Sequence, residues 1–214
     1  MFSLLNLLTL TLLLPAAQSE VDQQPKLVLQ NAYVSVYRAA LTAGTAVPVP
    51  HPRKDIVAIY IDKDGSPRVT FLPGGANNSV KAEKNEDVVL VELQHHWDAE
   101  MKRCTFPASC VRAIRMGGTE IGFTESLFTN GFLSAYRHRI DAGGTLSSSY
   151  YSAKGKDRIV VIPLTNLHGS FDGTEEDLKP QQGYFSEAKE VEITGGEKAA
   201  QWIVIRLNTP RGQE

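Results

Sequence analysis

One stretch of this 214-residue chain occurs twice in similar form. Residues 31–44 read NAYVSVYRAALTAG, and residues 130–143 read NGFLSAYRHRIDAG at an offset of 99 residues without a gap. The identical pairs are Asn31/Asn130, Ser35/Ser134, Tyr37/Tyr136, Arg38/Arg137, Ala43/Ala142 and Gly44/Gly143. A period this long exceeds that of solenoid repeats, so the repetition indicates a duplicated domain.

The pattern of apolar residues favours β-strands throughout both copies. Residues 27–41 alternate, with Ser35, Tyr37 and Leu41 on the face that we expect to be the core. Continuous apolar runs at residues 56–61 and 159–164 fit strands covered on both faces. No stretch keeps a helical period for long, and Gly and Pro recur between short β-rich pieces, so the sequence predicts an all-β fold of sandwich or barrel type.

The first residues are typical of a secretory signal. An apolar run from Leu4 to Leu14 precedes Pro15 and small residues, which predicts cleavage after Ser19 and a periplasmic or extracellular protein. A membrane anchor is the alternative, but the run is too short to cross a bilayer as a helix. The predicted organisation is a signal peptide at 1–19, a first half at 20–94, a connector at 95–126, a second half at 127–210 and a tail at 211–214.

Charge and cysteine content narrow the possible partners. The formal net charge is −2, from 22 basic and 24 acidic residues. There is no excess of positive charge to favour binding to nucleic acid or, after signal cleavage, to an anionic membrane. Cys104 and Cys110 are the only two cysteines, and in an oxidising compartment their spacing around Pro107 favours a local disulfide within the connector. A redox pair is the alternative, although such pairs usually show Cys-x-x-Cys spacing.

Two segments of the first half resemble the motifs of the cupin superfamily. The segment VPVPHPRKDIVAIYI resembles the first motif, in which histidines and a proline precede an acidic residue and an apolar strand. The segment Pro73-Gly74-Gly75-Ala76-Asn77-Asn78 resembles the second motif, with Asn78 where a histidine is usual. With the duplication, the chain resembles a bicupin, which implies two tandem jelly-roll β-barrels packed together.

The resemblance also implies a place for a metal ion. Many cupins hold one divalent metal through three histidines and a carboxylate, and the matching positions here are His51, Asp55 and Asn78, with Val49 in place of the first histidine. In the second half Tyr150 falls in the histidine region, and Asp157 is the acidic residue before the apolar run. Because a catalytic metal usually takes about three protein ligands, we expect no cofactor, with a divalent metal at the first-half residues as the alternative.

The repeated arginines admit two interpretations. Arg38 and Arg137 either pair with acids where the two halves meet or bind an anionic ligand. Tyr150 is a third candidate for a ligand contact, because exposed aromatic rings stack on sugars. Asn77 begins a formal glycosylation sequon, which matters only in a host that glycosylates.

These observations lead to one main hypothesis and one alternative. The first is an exported, degenerate bicupin that acts as a non-catalytic binding or structural module. The alternative is a cupin-type metal-dependent enzyme, a dioxygenase or an isomerase of a small molecule, with a reduced site in the first half. A shared fold alone does not establish that chemistry, because one fold hosts many unrelated activities. A small-molecule ligand and a homo-oligomer are compatible with the sequence.

The signal sequence gives a direct test. Expressed in a secreting host, the protein should be recovered with Glu20 as its first residue, and Cys104 and Cys110 should appear joined in the non-reduced peptide map. Intact-mass and peptide mass spectrometry check both points. Recovery of an uncleaved chain in the cytoplasmic fraction would contradict export.

Overall fold

The structure is a computed structural model that describes residues 24–75, 78–94, 111–131, 133–147, 158–188 and 190–207. The signal sequence, both cysteines, Asp157 and Tyr150 lie outside these ranges. The described residues form β-strands and no helix, as the apolar pattern predicts. No helix in this part of the chain is therefore long and apolar enough to cross a membrane.

The described residues of the two halves contain seventeen strands. The first half contains β1 (Lys26–Gln30), β2 (Val34–Leu41), β3 (Ala46–Pro48), β4 (Ile56–Ile61), β5 (Pro67–Leu72), β6 (Ser79–Lys81) and β7 (Glu86–Leu93). The second half contains β8 (Val111–Met116), β9 (Thr119–Thr129), β10 (Leu133–Ile140), β11 (Thr145–Ser147), β12 (Arg158–Pro163), β13 (Leu167–Phe171), β14 (Thr174–Leu178), β15 (Tyr184–Ser186), β16 (Val191–Thr194) and β17 (Ala200–Leu207).

Each half is a barrel of two antiparallel sheets around an apolar interior. In the first half a five-stranded sheet, β1-β2-β7-β4-β5, accompanies the pair β3-β6. In the second half a six-stranded sheet, β15-β12-β17-β10-β9-β8, accompanies a four-stranded sheet, β11-β16-β13-β14. The predicted all-β fold of two jelly-roll barrels is thus confirmed.

The strand register shows that the two barrels are copies. Strand β2 pairs with β7 so that Ser35 lies opposite Glu92, and β10 pairs with β17 so that Ser134 lies opposite Arg206. Two residues further along each repeat, Tyr37 lies opposite Leu90, and Tyr136 opposite Val204. A residue of β7 therefore has its structural counterpart in β17, independently of any likeness in sequence there.

A repeated asparagine explains the first identity of the duplicated stretch. The Asn31 side-chain oxygen accepts hydrogen bonds from the backbone N–H groups of Tyr33 and Val34 (2.8 and 2.9 Å), and Asn130 accepts one from Leu133 (2.9 Å). Each asparagine closes the turn that leads into the repeated strand, as short polar side chains often do. The alternation predicted for residues 27–41 is therefore divided between two strands, β1 and β2.

The two large sheets face each other across one apolar layer. Because strand side chains alternate, β2, β4 and β7 point one set of residues into the first barrel and the other set at the second half. The central strands β4 and β12 have apolar side chains buried on both faces, as their continuous apolar runs predict. Eight buried residues from each half form this layer: Val34, Val36, Val57, Ile59, Ile61, Val89, Val91 and Leu93 with Phe128, Leu133, Ala135, Val160, Ile162, Ile203, Ile205 and Leu207.

Two regions differ from the sequence-based expectation. Residues 111–126, assigned to the connector, lie within β8 and β9, which extend the second large sheet beside β10. The turn-rich stretch after β12 contains the hairpin β13–β14, which pairs with β16 and widens the smaller sheet of the second barrel. The first barrel has no counterpart of this hairpin among its described strands.

The close approach of the halves predicts the effect of one substitution. A Cβ on Gly183 would lie 2.9–3.1 Å from three side-chain carbons of Val36, which is buried and stiff. We expect Gly183→Ala to destabilise the protein by about 1–3 kcal/mol, because overpacking forces the layer apart. Urea unfolding followed by fluorescence measures the change.

The control is Gly196→Ala, because a Cβ there meets no atom within 4 Å. Neither glycine has a positive φ, so the backbone effect of alanine is similar at both positions. The control should stay within about 0.5 kcal/mol of the wild type or stabilise it slightly. Equal effects of the two substitutions would contradict the close packing of the halves.

Candidate functional site

The most polar part of the first-barrel interior lies where β7 ends. Val88 and Leu90 of this strand point into the first barrel core, and Glu92 follows on the same face with only 1% of its surface exposed. A carboxylate buried at this depth is costly unless hydrogen bonds satisfy it. Its partners therefore define the candidate site.

Two side chains bond the Glu92 carboxylate. The Nδ1 atom of His51 lies 2.7 Å from Oε2, and the Gln94 amide nitrogen donates to Oε1 at 3.0 Å. The same amide nitrogen donates to the Ser35 hydroxyl at 2.7 Å. Lys54 completes the group, because its ammonium donates to the backbone oxygen and the side-chain oxygen of Gln94, both at 3.1 Å. We call these side chains, with that of Tyr37, the first-barrel polar cluster.

The orientation of the His51 ring follows from its partner. An ionised carboxylate only accepts hydrogen bonds, so opposite an ionised Glu92 the proton is assigned to Nδ1, and in the neutral ring Nε2 then keeps its lone pair. The His51 side chain is 62% exposed, whereas that of Glu92 is buried. In this arrangement the acceptor Nε2 belongs to an exposed side chain, and the buried Glu92 fixes the orientation of the His51 ring.

Tyr37 forms the floor of the cluster. Its ring meets the His51 ring edge-on, with 6.5 Å between the ring centres. Burial raises the pKa of the Tyr37 hydroxyl above its ordinary value, and the charge of Glu92 raises it further. The phenol thus stays protonated at neutral pH and can donate as well as accept a hydrogen bond.

The other two residues of the predicted metal site hold a loop in place. The Asp55 carboxylate accepts a hydrogen bond from the backbone N–H of Gly74 at 2.6 Å, and the Asn78 amide nitrogen donates to the Pro73 carbonyl at 2.7 Å. The backbone of Gly74 lies so close to Arg53 that a Cβ would collide with the carbonyl oxygen of that residue. Asp55 therefore bonds in the manner of a turn residue.

The donor atoms of His51, Asp55 and Asn78 do not make a conventional metal centre in this arrangement. Asp55 and Asn78 bond backbone groups of the loop, so only the Nε2 atom of His51, whose Nδ1 is bonded to Glu92, is left to offer to a metal. Over the described ranges, no three His, Cys, Asp or Glu side chains are grouped so that they could hold a metal ion. The residues present therefore do not fit the metal that many cupins bind.

The second barrel carries different chemistry at the equivalent positions. Arg206 is the counterpart of Glu92, since each lies opposite the repeated serine. Ile56 lies opposite Glu92 and Ile159 opposite Arg206, so the counterpart of Asp55 is Arg158. Asp157, the acidic residue that precedes the apolar run in the sequence, lies outside the described residues. Tyr150, a candidate ligand contact, lies outside the described residues.

The repeated arginines lie on the side of their sheets that faces the other half. Arg38 is 3.9 Å from Asp87, whose carboxylate also accepts a hydrogen bond from Gln181 of the second half at 2.8 Å. Arg137 donates to the side chain of Gln201 at 2.7 Å. Both contacts extend the layer between the halves with polar groups, and neither arginine shares the barrel face of the polar cluster.

Sequence reasoning missed the buried members of the cluster. Glu92 was included in an apolar terminal strand, and Ser35 was noted only as a repeated residue of the core face. The signal in the sequence was the alternation of side chains along the strand. It puts Glu92 on the same inward face as Val88 and Leu90, where an acid is not expected. The partnership with His51, 41 residues away, required the folded barrel.

The second barrel core contains a buried histidine. His138 is 2% exposed and stacks on Trp202 with 5.3 Å between ring centres, while Nδ1 and the Thr124 hydroxyl are hydrogen-bonded at 2.9 Å. Burial lowers the pKa of His138 from 6.5 to about 3. The ring is therefore neutral in the folded protein and belongs to the core.

Comparison with known proteins identifies the fold. No family model matches the sequence, and no curated protein matches it. An IolB-like protein from Salmonella typhimurium LT2 is similar in structure, with a TM-score of 0.61 and 9% identity over 83% of this chain and 84% of that chain. A cupin 2 conserved barrel domain protein from Leptotrichia buccalis has a TM-score of 0.50 and 10% identity, covering 89% and 91%. AerE from Microcystis aeruginosa has a TM-score of 0.52 and 11% identity, covering 87% and 98%. These similarities show the fold alone.

His138 predicts how stability depends on pH. Its pKa is lower in the folded protein than in the unfolded chain, so below about pH 6.5 the unfolded state binds more protons. The contribution of the neutral ring is complete above the unfolded pKa and is lost as the pH falls toward about 3. Between about pH 7.5 and pH 5, the wild type should lose about 2 kcal/mol more unfolding free energy than His138→Gln does.

Urea unfolding at both pH values gives the comparison, and the variant corrects for the acids that titrate in both proteins. His138→Phe is a second variant that keeps a ring against Trp202 if glutamine fails to fold. An equal loss in wild type and variants would contradict a buried, neutral His138.

Proposed function

Because the chain has the cupin fold in two copies, we propose that it is an exported, degenerate bicupin that binds a small molecule at the first-barrel polar cluster without metal-dependent chemistry. The observation that carries the proposal is that Asp55 and Asn78, the other two residues of the metal motif, bond backbone groups of the neighbouring loop. The His51 ring, whose Nδ1 atom is bonded to Glu92, is thereby left without a second ligand from that motif.

The contacts around the cluster support a binding role. Asp55 and Asn78 bond the loop residues Gly74 and Pro73, and the Gly75 N–H donates to the carbonyl of Pro52, next to His51, at 2.8 Å. A turn fastened on two sides loses little freedom when a ligand arrives, which favours affinity. The acids and amides of the motif thus stabilise the site, and the cluster supplies the ligand contacts.

Metal analysis tests the proposal. Protein expressed with Fe, Mn, Zn and Ni in the medium should contain far less than one metal ion per chain, because the conventional ligand set does not converge. His51→Ala should leave that content unchanged. Asp55→Ala should also leave it unchanged while costing about 1–3 kcal/mol of stability, since the Gly74 N–H loses its buried acceptor.

The matched control for the stability effect is Asp64→Ala. Asp64 also accepts a backbone N–H bond, from Ser66 at 3.1 Å, but in an exposed turn where water can replace it. Its cost should be less than about 1 kcal/mol. A stoichiometric metal that disappears in His51→Ala would overturn the proposal and favour the metal-dependent dioxygenase or isomerase.

A further inference from the structure

The first-barrel polar cluster has two outward-facing groups of complementary kind. One is the Nε2 atom of His51, a hydrogen-bond acceptor while Nδ1 donates to Glu92. The other is the ammonium group of Lys54. Both residues belong to one turn, in which the Lys54 N–H donates to the His51 carbonyl at 3.0 Å, and both side chains reach the end of β7.

Among the described residues, the ammonium group of Lys54 has no acidic partner. Its two hydrogen bonds go to oxygens of Gln94 that carry no net charge. In the part of the chain that the structure describes, no carboxylate lies within salt-bridge distance of it. Glu92, the nearest acid along the hydrogen-bonded chain, is engaged by His51 and by the Gln94 amide.

An ammonium group bonds most strongly to an anion, and the described residues accept two of the three N–H bonds that Lys54 can donate. The lone pair of His51 Nε2 can accept a hydrogen bond from a donor such as a hydroxyl. A ligand that satisfies both groups must combine a negative charge with a neighbouring hydroxyl. We propose that the ligand is a small hydroxycarboxylate, whose carboxylate pairs with Lys54 and whose hydroxyl donates to His51 Nε2.

The inference rests on the proposed function and adds the chemical class of the ligand. It also gives Glu92 a definite task as a positioning residue, which is to keep the proton of His51 on Nδ1. Without that acid, the ring is free to move the proton to Nε2, which would then repel the donor of the ligand. The equivalent position of the second barrel holds Arg206, so we infer this specificity for the first barrel only.

Three three-carbon probes test the ligand class. Lactate has both groups, propionate has only the carboxylate, and propane-1,2-diol has only hydroxyls. Titration of labelled full-length mature protein, followed by NMR shifts of the His51 and Lys54 side chains, gives the affinity of each. Lactate should bind at least about tenfold more tightly than either of the others, as expected for one charge-assisted hydrogen bond.

Two substitutions should divide that preference between the groups. Lys54→Gln should abolish the preference for lactate over the diol, and His51→Phe should abolish the preference for lactate over propionate. The matched controls are Lys63→Gln, in an exposed turn of the first half, and His168→Phe, on an exposed hairpin of the second half. Neither control should change any of the three affinities.

A readout without ligand tests the role of Glu92. Nitrogen NMR of the His51 ring should show an unprotonated Nε2 in the neutral wild type, and Glu92→Gln should lose this fixed tautomer, because an amide can donate as well as accept. Glu86→Gln is the control, since Glu86 is a buried acid at the other end of β7.

Each failure identifies its own cause. Lactate binding no better than both partial probes, or no binding of any probe, overturns the ligand class, while metal-free protein would leave the binding module intact. A proton on Nε2 in the wild type overturns the role of Glu92. A stoichiometric metal lost with His51 overturns the proposed function itself.

Discussion

The apolar layer between the two large sheets is the constraint on which the rest of the structure depends. Each half contributes eight buried side chains to it, so neither half can be folded in its present form without covering that face. Strands β4, β7, β12 and β17 consequently bury both faces, one in the layer and one in a barrel. The buried acids of β7, Glu86 and Glu92, accordingly lie at the two ends of that strand.

The sequence predicted structure where packing produces a periodic apolar pattern. It did not predict contacts between residues that are far apart in the chain. Alternation and continuous apolar runs predicted β2, β4 and β12, because burial on one or both faces of a strand shows directly in its sequence. The hairpin β13–β14 was not predicted, since its outward face is acidic and its loop residues dominate the pattern. The pairing of His51 with Glu92 leaves no local trace at all.

The candidate site shows how two copies of one scaffold diverge. The backbone register is shared so closely that Glu92 and Arg206 occupy the same place, yet their charges are opposite. Asp55 and Arg158 are opposite in the same way. Fold similarity at about a tenth of sequence identity cannot report such differences, because backbone geometry is indifferent to the sign of a side-chain charge.

The two asparagine turns influence the candidate site although neither asparagine belongs to it. By fixing where β2 and β10 begin, Asn31 and Asn130 decide which alternate residues of each strand turn inward. A shift of one residue at the Asn31 turn would exchange Ser35 and Tyr37 for Val34 and Val36 on the barrel side, and would put hydroxyl groups into the apolar layer. These small turns therefore set the register of the repeated strands. An error of one residue would disrupt both the barrel interior and the packing of the two halves.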